Sequence, residues 1–127
     1  MHHKAEQVAQ HDSPVLISGE DGSGRESWAR YIHTHSRRSG EFVVLDHAQL
    51  EGDNLRGYLV GSDRDNDRQQ GVFDLAAGGT LFLSDFQELP IEARKIINQV
   101  LEAGHFIPEG STGKRPVACR IIASSCA

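Results

Sequence analysis

Val15-Leu16-Ile17-Ser18-Gly19-Glu20-Asp21-Gly22-Ser23-Gly24-Arg25-Glu26 is a short apolar run that breaks into glycines and then resumes as a helical pattern. It reads as a strand, a loop that cradles an anion, and a helix. Successive backbone N–H groups in such a loop point at phosphate, and the helix that follows adds the partial positive charge of its N-terminus. Gly19, Gly22 and Gly24 suit the role, because a residue without Cβ adopts positive φ and lets an anion approach the main chain. The spacing Gly19-x4-Gly24 is that of the motif G-x-x-x-x-G-K-[ST]. Arg25 stands where the lysine belongs and Glu26 where a magnesium-binding hydroxyl usually sits. The main-chain frame is present and its charged chemistry is altered.

Working outward, Pro14 favours an extended entry into the strand Val15 to Ser18. Trp28, Ala29 and Ile32 recur at helical spacing and predict about three turns, ending in Ser36-Arg37-Arg38-Ser39-Gly40. Phe42-Val43-Val44-Leu45-Asp46 is an apolar run of strand length, suited to a strand buried on both faces. The order βαβ implies a parallel sheet and an α/β fold. Gly71 to Gly79 leads into a second buried strand, Thr80-Leu81-Phe82-Leu83, with Ser84 and Asp85 at its end. Ligands of open α/β sheets sit outside the carboxyl ends of the strands, so Ser84 and Asp85 are expected to face the phosphate loop. Pro90 opens the next helix, whose buried stripe is Ala93, Ile96, Ile97, Val100 and Leu101, with Gly104 as terminator. His105-Phe106-Ile107 and the turn at 110 to 115 predict a hairpin, and Val117 to Ser124 a last core strand.

Between these segments, Ala48 to Tyr58 reads as a broken helix and Ser62 to Gln70 as a polar surface loop. The acids at 63, 65, 67 and 74 imitate a calcium loop. Arg68 occupies the position that needs glycine, and the terminal glutamate is missing, so calcium is set aside. Residues 1–12 read as a leading helix or the remains of a tag, with Ala5, Val8 and Ala9 on one side and His2 and His3 before them.

The chain has 127 residues, 38% of them apolar and 24% charged, as in one soluble globular domain. A net charge of −5 argues against capture of a nucleic-acid backbone by this segment. There is no apolar run of membrane-spanning length and no secretory pattern. Cys119 and Cys126 lack C-x-x-C spacing and read as small residues of a reducing compartment, so the expected location is the cytoplasm. His33 and His35 do not share a helix face and make a poor metal pair. Trp28 belongs to the stripe of Ile32 and reads as core.

A longer series of residues resembles the ATPase core of bacterial sigma-54-dependent transcription activators, a branch of the AAA+ superfamily. Gly19-Glu20-Asp21-Gly22-Ser23-Gly24-Arg25-Glu26 is similar to the family's G-E-[ST]-G-[ST]-G-K-E, in which the final glutamate is ordinary. Ala29-Arg30-Tyr31-Ile32-His33 is similar to A-R-x-I-H. Gly71-Val72-Phe73-Asp74-Leu75-Ala76-Ala77-Gly78-Gly79-Thr80-Leu81-Phe82-Leu83 is close to G-x-F-E-x-A-x-G-G-T-L-F-L. Glu88-Leu89-Pro90, Val100 to Phe106 and Arg120-Ile121-Ile122-Ala123 follow in the family's order. The resemblance implies a three-layer P-loop NTPase core over residues 13–127, a parallel sheet with flanking helices, without the helical lid. It also implies ATP or ADP with Mg2+ as cofactor, held by Gly19, Glu20, Asp21, Gly22, Ser23, Gly24, Arg25 and Glu26.

The departures fall where the family does its chemistry. Its strand after G-G-T-L-F-L ends in Asp-Glu, the first acid ordering magnesium through water and the second polarising the attacking water; here these positions are Ser84 and Asp85. Serine supplies no negative charge, and aspartate is a methylene shorter than glutamate. Alternatively, Asp85 takes the metal role and leaves no acid for the water. The asparagine that senses the γ-phosphate aligns with Cys126, a poor hydrogen-bond donor. Arg25 keeps a positive charge, but its planar fork does not replace a compact ammonium freely. Phosphoryl transfer rests on positioning and charge neutralisation, and one such contact is worth about 10²–10³ in rate. The loop that touches the sigma factor, G-A-F-T-G-A in the family, is replaced by Ser62 to Gln70, with neither aromatic nor glycine pair. The expectation is therefore a partial core that binds nucleotide weakly and hydrolyses it poorly or not at all. An active ATPase that remodels sigma-54 RNA polymerase holoenzyme and a nucleotide-free interaction module are the alternatives. Expected partners are the sigma-54 machinery or other regulator domains, with neither nucleic acid nor membrane. The fragment is expected to be a monomer or weak dimer.

Overall fold

A computed structural model describes residues 15–19, 24–36, 39–50, 54–64 and 67–126. The expected leading helix, and Arg37-Arg38, lie outside the described residues. Strand β1 (Val15–Gly19) precedes helix α1 (Arg25–Thr34), and β2 (Phe42–Leu45) follows. A 3-10 turn (His47–Leu50) and helix α2 (Leu55–Val60) stand where a broken helix was expected. Asn54 caps α2 by accepting a hydrogen bond from Gly57 N at 3.3 Å. The short strands β3 (Ser62–Arg64) and β4 (Asp67–Gln69) come next, followed by the single turn α3 (Val72–Leu75) and by β5 (Thr80–Leu83). Helix α4 (Ile91–Ala103), the pair β6 (His105–Phe106) and β7 (Arg115–Pro116), and strand β8 (Arg120–Cys126) complete the order.

Among the described residues the main sheet has four parallel strands in the order β1-β8-β5-β2. Side chains alternate across it with the strand period of two. Phe42, Val44, Phe82 and Ile122 point to one face, where they pack with Ala29, Ile32, Trp28 and Tyr31 of α1. Leu45, Leu81, Leu83 and Ile121 point to the other, against Ala93, Ile97 and Val100 of α4 and Leu59, Val60 and Phe73. The result is the three-layer α/β architecture expected of an AAA+ P-loop domain, with helices on both faces of a parallel sheet. Trp28, read from its spacing as core, is partly buried and packs against this cluster.

Details of the reading are refined. Pro90 (φ −54°) caps α4 rather than forming its first turn, and Gly104 (φ +78°) ends it in the left-handed region. The last strand runs from Arg120 to Cys126, later than Val117 to Ser124. The β6–β7 hairpin is antiparallel, as expected. The stretch Ser62 to Gln70 is not simply a loop: β3 and β4 pair antiparallel, with Asp63 opposite Arg68. Composition pointed to a loop, but backbone anchorage decides. Asp63 N donates to Glu109 O at 2.8 Å, Glu109 N donates to Gly61 O at 3.0 Å, and Arg64 pairs with the Glu109 carboxylate at 3.1 Å.

Candidate functional site

The carboxyl ends of β1, β8 and β5 converge with the N-terminus of α1. Gly19 closes β1 and pairs in register with Cys126, while Leu83 of β5 pairs with Ala123 of β8. Ser84 and Asp85 leave β5 directly above this line, so the chain topology brings Gly24, Arg25, Ser84 and Asp85 to one end of the sheet. A cavity of about 230 Å³ lies there, lined by Gly24, Arg25, Glu26, Phe82, Ser84 and Ser124. Gly24 sits at φ +77° as the residue before α1, a left-handed turn that opens a ten-residue helix whose first residues, Arg25 and Glu26, line the cavity. A Cβ built on Gly24 would meet nothing within 4 Å, so conformation rather than crowding demands glycine.

The charged side chains have specific partners. Arg25 Nη1 donates to Asp85 Oδ1 at 2.6 Å across sixty positions of sequence, with the arginine side chain 11% exposed and the aspartate 34%. Asp85 adopts φ +49°, the only positive value among the described non-glycine residues. Aspartate tolerates this conformation better than most residues. Its main-chain N–H donates to Ser124 Oγ at 2.8 Å. Ser124 is 1% exposed and lies two positions beyond Ile122, on the α1 face of β8. Glu26 faces outward and takes a 3.4 Å contact from Arg30 one turn along α1. At the opposite end of β5, His33 Nδ1 and Thr80 Oγ1 are 2.7 Å apart.

Of the residues expected to hold nucleotide, Gly24, Arg25 and Glu26 line the cavity and Gly19 ends the strand beneath it. Glu20, Asp21, Gly22 and Ser23 lie outside the described residues. Ser84 lines the cavity and Asp85 stands at its edge through Arg25. Cys126 closes β8 opposite Gly19, and only its backbone is described. The Ser124 hydroxyl is a site feature that the motifs did not reveal. Its signal was a polar residue two positions beyond Ile122, on the same face as Phe82 and Ile122, at the ligand end of a core strand.

The residues present fit a phosphate group. A glycine in the left-handed region, a helix N-terminus, a guanidinium and two hydroxyls border the cavity. For magnesium the donor set is thinner. Asp85 is the carboxylate at the strand end and already pairs with Arg25, and no group of three or more His, Cys, Asp or Glu among the described residues is arranged to hold a metal ion.

A parallel sheet in this order with a phosphate-suited helix N-terminus at its carboxyl end defines a P-loop domain of the AAA+ class. The family model for the Sigma-54 interaction domain matches residues 1–127, and the chain belongs to that family. It is 37% identical over 126 residues to the DNA-binding transcriptional regulator NtrC of Bradyrhizobium sp. (strain RP501 Parasponia), a match covering 93% of this chain and 26% of that protein. It is likewise 37% identical over 133 residues to the nitric oxide reductase transcription regulator NorR1 of Cupriavidus necator, covering 97% of this chain and 25% of that one. The solved structure of NtrX from Brucella abortus in complex with ATP superposes with a TM-score of 0.86 at 32% identity, covering 98% of this chain and 29% of that chain. The same protein with ADP gives the same score and covers 28% of that chain. The chain thus spans about a quarter of the length of the curated relatives it matches. No described helix is long and apolar enough to cross a membrane.

Proposed function

We infer that this chain is the nucleotide-receiving core of a sigma-54-dependent transcription regulator, one that binds ATP or ADP at Gly19 to Glu26 and hydrolyses it weakly or not at all. The observation that carries this reading is the 2.6 Å pair between Arg25 and Asp85 at the mouth of the cavity. At the end of β5 a serine and one aspartate stand where the resemblance calls for two acids, and that aspartate is neutralised by the cation of the phosphate loop. Bound nucleotide supplies a charged polyphosphate whose terminal group is the one transferred to water in a working ATPase. The chain's own groups are suited to the first half of that task. Gly24 and the α1 N-terminus hold an anion by main-chain donors, Arg25 adds charge, and Ser84 and Ser124 offer hydroxyls. For the second half, a base at water, Asp85 is one methylene shorter than glutamate and tied to Arg25.

A second reading, a working ATPase that remodels sigma-54 RNA polymerase holoenzyme, is favoured by family membership and by the ATP complex of NtrX. The polar β3–β4 pair argues against its contact step, since it offers charges in place of the family's aromatic and glycines. We further propose a cytoplasmic location, a monomer or weak dimer, and regulator domains or the sigma-54 machinery as partners, in keeping with a family of transcription regulators.

Isothermal titration with ATP and ADP in the presence of magnesium, paired with phosphate-release kinetics, tests the reading. Binding with negligible release is expected. Turnover typical of an ATPase would overturn the pseudo-ATPase reading, and absence of binding would overturn the nucleotide reading. In the triple variant Arg25→Lys, Ser84→Asp, Asp85→Glu, affinity or turnover rises; an unchanged folded triple variant would remove the site argument.

A further inference from the structure

We propose that Asp85 acts as an internal counter-ion that stands in for phosphate: its carboxylate holds Arg25 in the ligand-free protein, and a nucleotide must displace it to bind. This inference rests on the nucleotide reading above and specifies how that site is controlled.

Four observations converge on it. Arg25, the first residue of α1, presents Nη1 to Asp85 Oδ1 at 2.6 Å, the separation of a strong charge-assisted hydrogen bond. The arginine side chain is only 11% exposed, so this charge-assisted bond is largely shielded from solvent on its cationic side. The carboxylate is held in place from behind: Asp85 takes a left-handed φ of +49° and its N–H is bonded to the buried Ser124 hydroxyl at 2.8 Å. Finally, the remaining charge on the cavity wall is unfavourable to an anion, because Glu26 lines it and is matched only by an exposed 3.4 Å contact with Arg30. An approaching polyphosphate therefore meets a cation already neutralised and two carboxylates close by. The Asp85 carboxylate, about a third exposed, repels an anion there more than the exposed Glu26 does, because solvent and salt screen the latter more fully.

The device has a directional consequence. Removing a carboxylate from the strand end of a phosphate site would weaken binding if its role were to hold magnesium. It tightens binding here, because it removes one acceptor from the Arg25 guanidinium and a negative charge from beside the cavity. Magnesium complexed to the polyphosphate would lower its negative charge and so weaken its repulsion by the Asp85 carboxylate.

The test is a titration of ADP, ATP and inorganic pyrophosphate into the parent chain and into Asp85→Asn and Asp85→Gly, in EDTA and in excess magnesium, followed by calorimetry and by shift of the melting temperature. Asparagine keeps the shape of the side chain, and glycine suits φ +49° without strain, so two independent variants guard against a folding defect. The expected result is an affinity at least about tenfold higher in both variants in EDTA, narrowing when magnesium is present. Equal or weaker binding by both folded variants, with the parent still binding, overturns the counter-ion and leaves the nucleotide reading intact. Failure of the parent and both variants to bind any of the three ligands in either condition overturns the nucleotide reading and the counter-ion with it.

Discussion

The two ends of β5, a strand of four residues, are built on different principles. At its amino end the chain crosses itself backbone to backbone. Gly40 N donates to Gly78 O at 3.0 Å, Thr80 N to Glu41 O at 2.9 Å, Gly78 N to Ala118 O at 2.9 Å, and Arg120 N to Gly79 O at 2.9 Å. A Cβ built on Gly79 would overlap Glu41 O, so side chains are excluded from the crossing. At the carboxyl end, the Asp85 carboxylate accepts from Arg25 and the Asp85 N–H donates to the Ser124 hydroxyl, beside a cavity lined by Arg25, Ser84 and Ser124. The lesson is that main-chain sterics hold the frame, while exchangeable side chains hold the chemistry. A domain can therefore keep the first while altering the second.

Four substitutions break or sharpen this contrast, in falling order of expected effect. Phe82→Ala lies between the two ends; Phe82 is 1% exposed and stacks on Phe42 at 5.9 Å. Truncation should cost about 3–5 kcal/mol in urea unfolding. Because Phe82 also lines the cavity, it should disturb both ends at once, and a variant that unfolds like the parent would show that the α1 layer does not depend on it.

Gly79→Ala tests the amino end alone. The backbone must shift to admit the methyl group, and a loss of about 3 kcal/mol is expected from the same measurement. Asp85→Gly is its counterpart at the carboxyl end. Loss of a partly exposed ion pair is offset by relief at a left-handed φ, so stability should stay within about 1 kcal/mol of the parent. If these two variants have equal thermal and urea stability, the division into frame and chemistry fails. The smallest effect is Glu26→Gln, which removes an exposed i, i+4 pair with Arg30 and should shift stability by about 0.3 kcal/mol, readable only as a small change in urea midpoint.

The legible part of the fold was that which depends on local period. Phe42 to Leu45, Thr80 to Leu83 and the α4 stripe announced themselves as runs or helical repeats, and the structure has them at those places. Gly104 ended α4 as its lack of a side chain suggested. The β3–β4 pair was less legible, because its stability comes from Glu109, more than forty positions away in sequence, rather than from its own polar residues. Arg120 was quoted only as part of a motif, yet among the described residues it is the largest fully buried side chain, at 1% exposure on a core strand. Nothing in a charged residue's identity signals burial until the strand on which it sits is known to be central.

At the candidate site the same division holds. Which residues would stand near phosphate could be read from glycine spacing and from the rule that ligands meet the carboxyl ends of parallel strands. Which of them touch could not. Motif positions rank residues along the chain, whereas an ion pair needs distance and direction in space.

The amino-acid sequence by itself determined the continuous apolar strands, the amphipathic helices that cover both faces of the sheet, and the order that puts glycines before Arg25 and Ser84-Asp85 after a core strand. These are properties of composition and short-range period, and the solvent's rejection of apolar surface enforces them wherever the chain lies. Only the tertiary structure decided that Arg25 is held by Asp85, that Ser124 fixes the main chain behind that carboxylate, and that His33 meets Thr80. Those contacts join residues from 39 to 60 positions apart. They exist because β8 inserts between β1 and β5, an arrangement set by packing the whole chain and not by any segment of it.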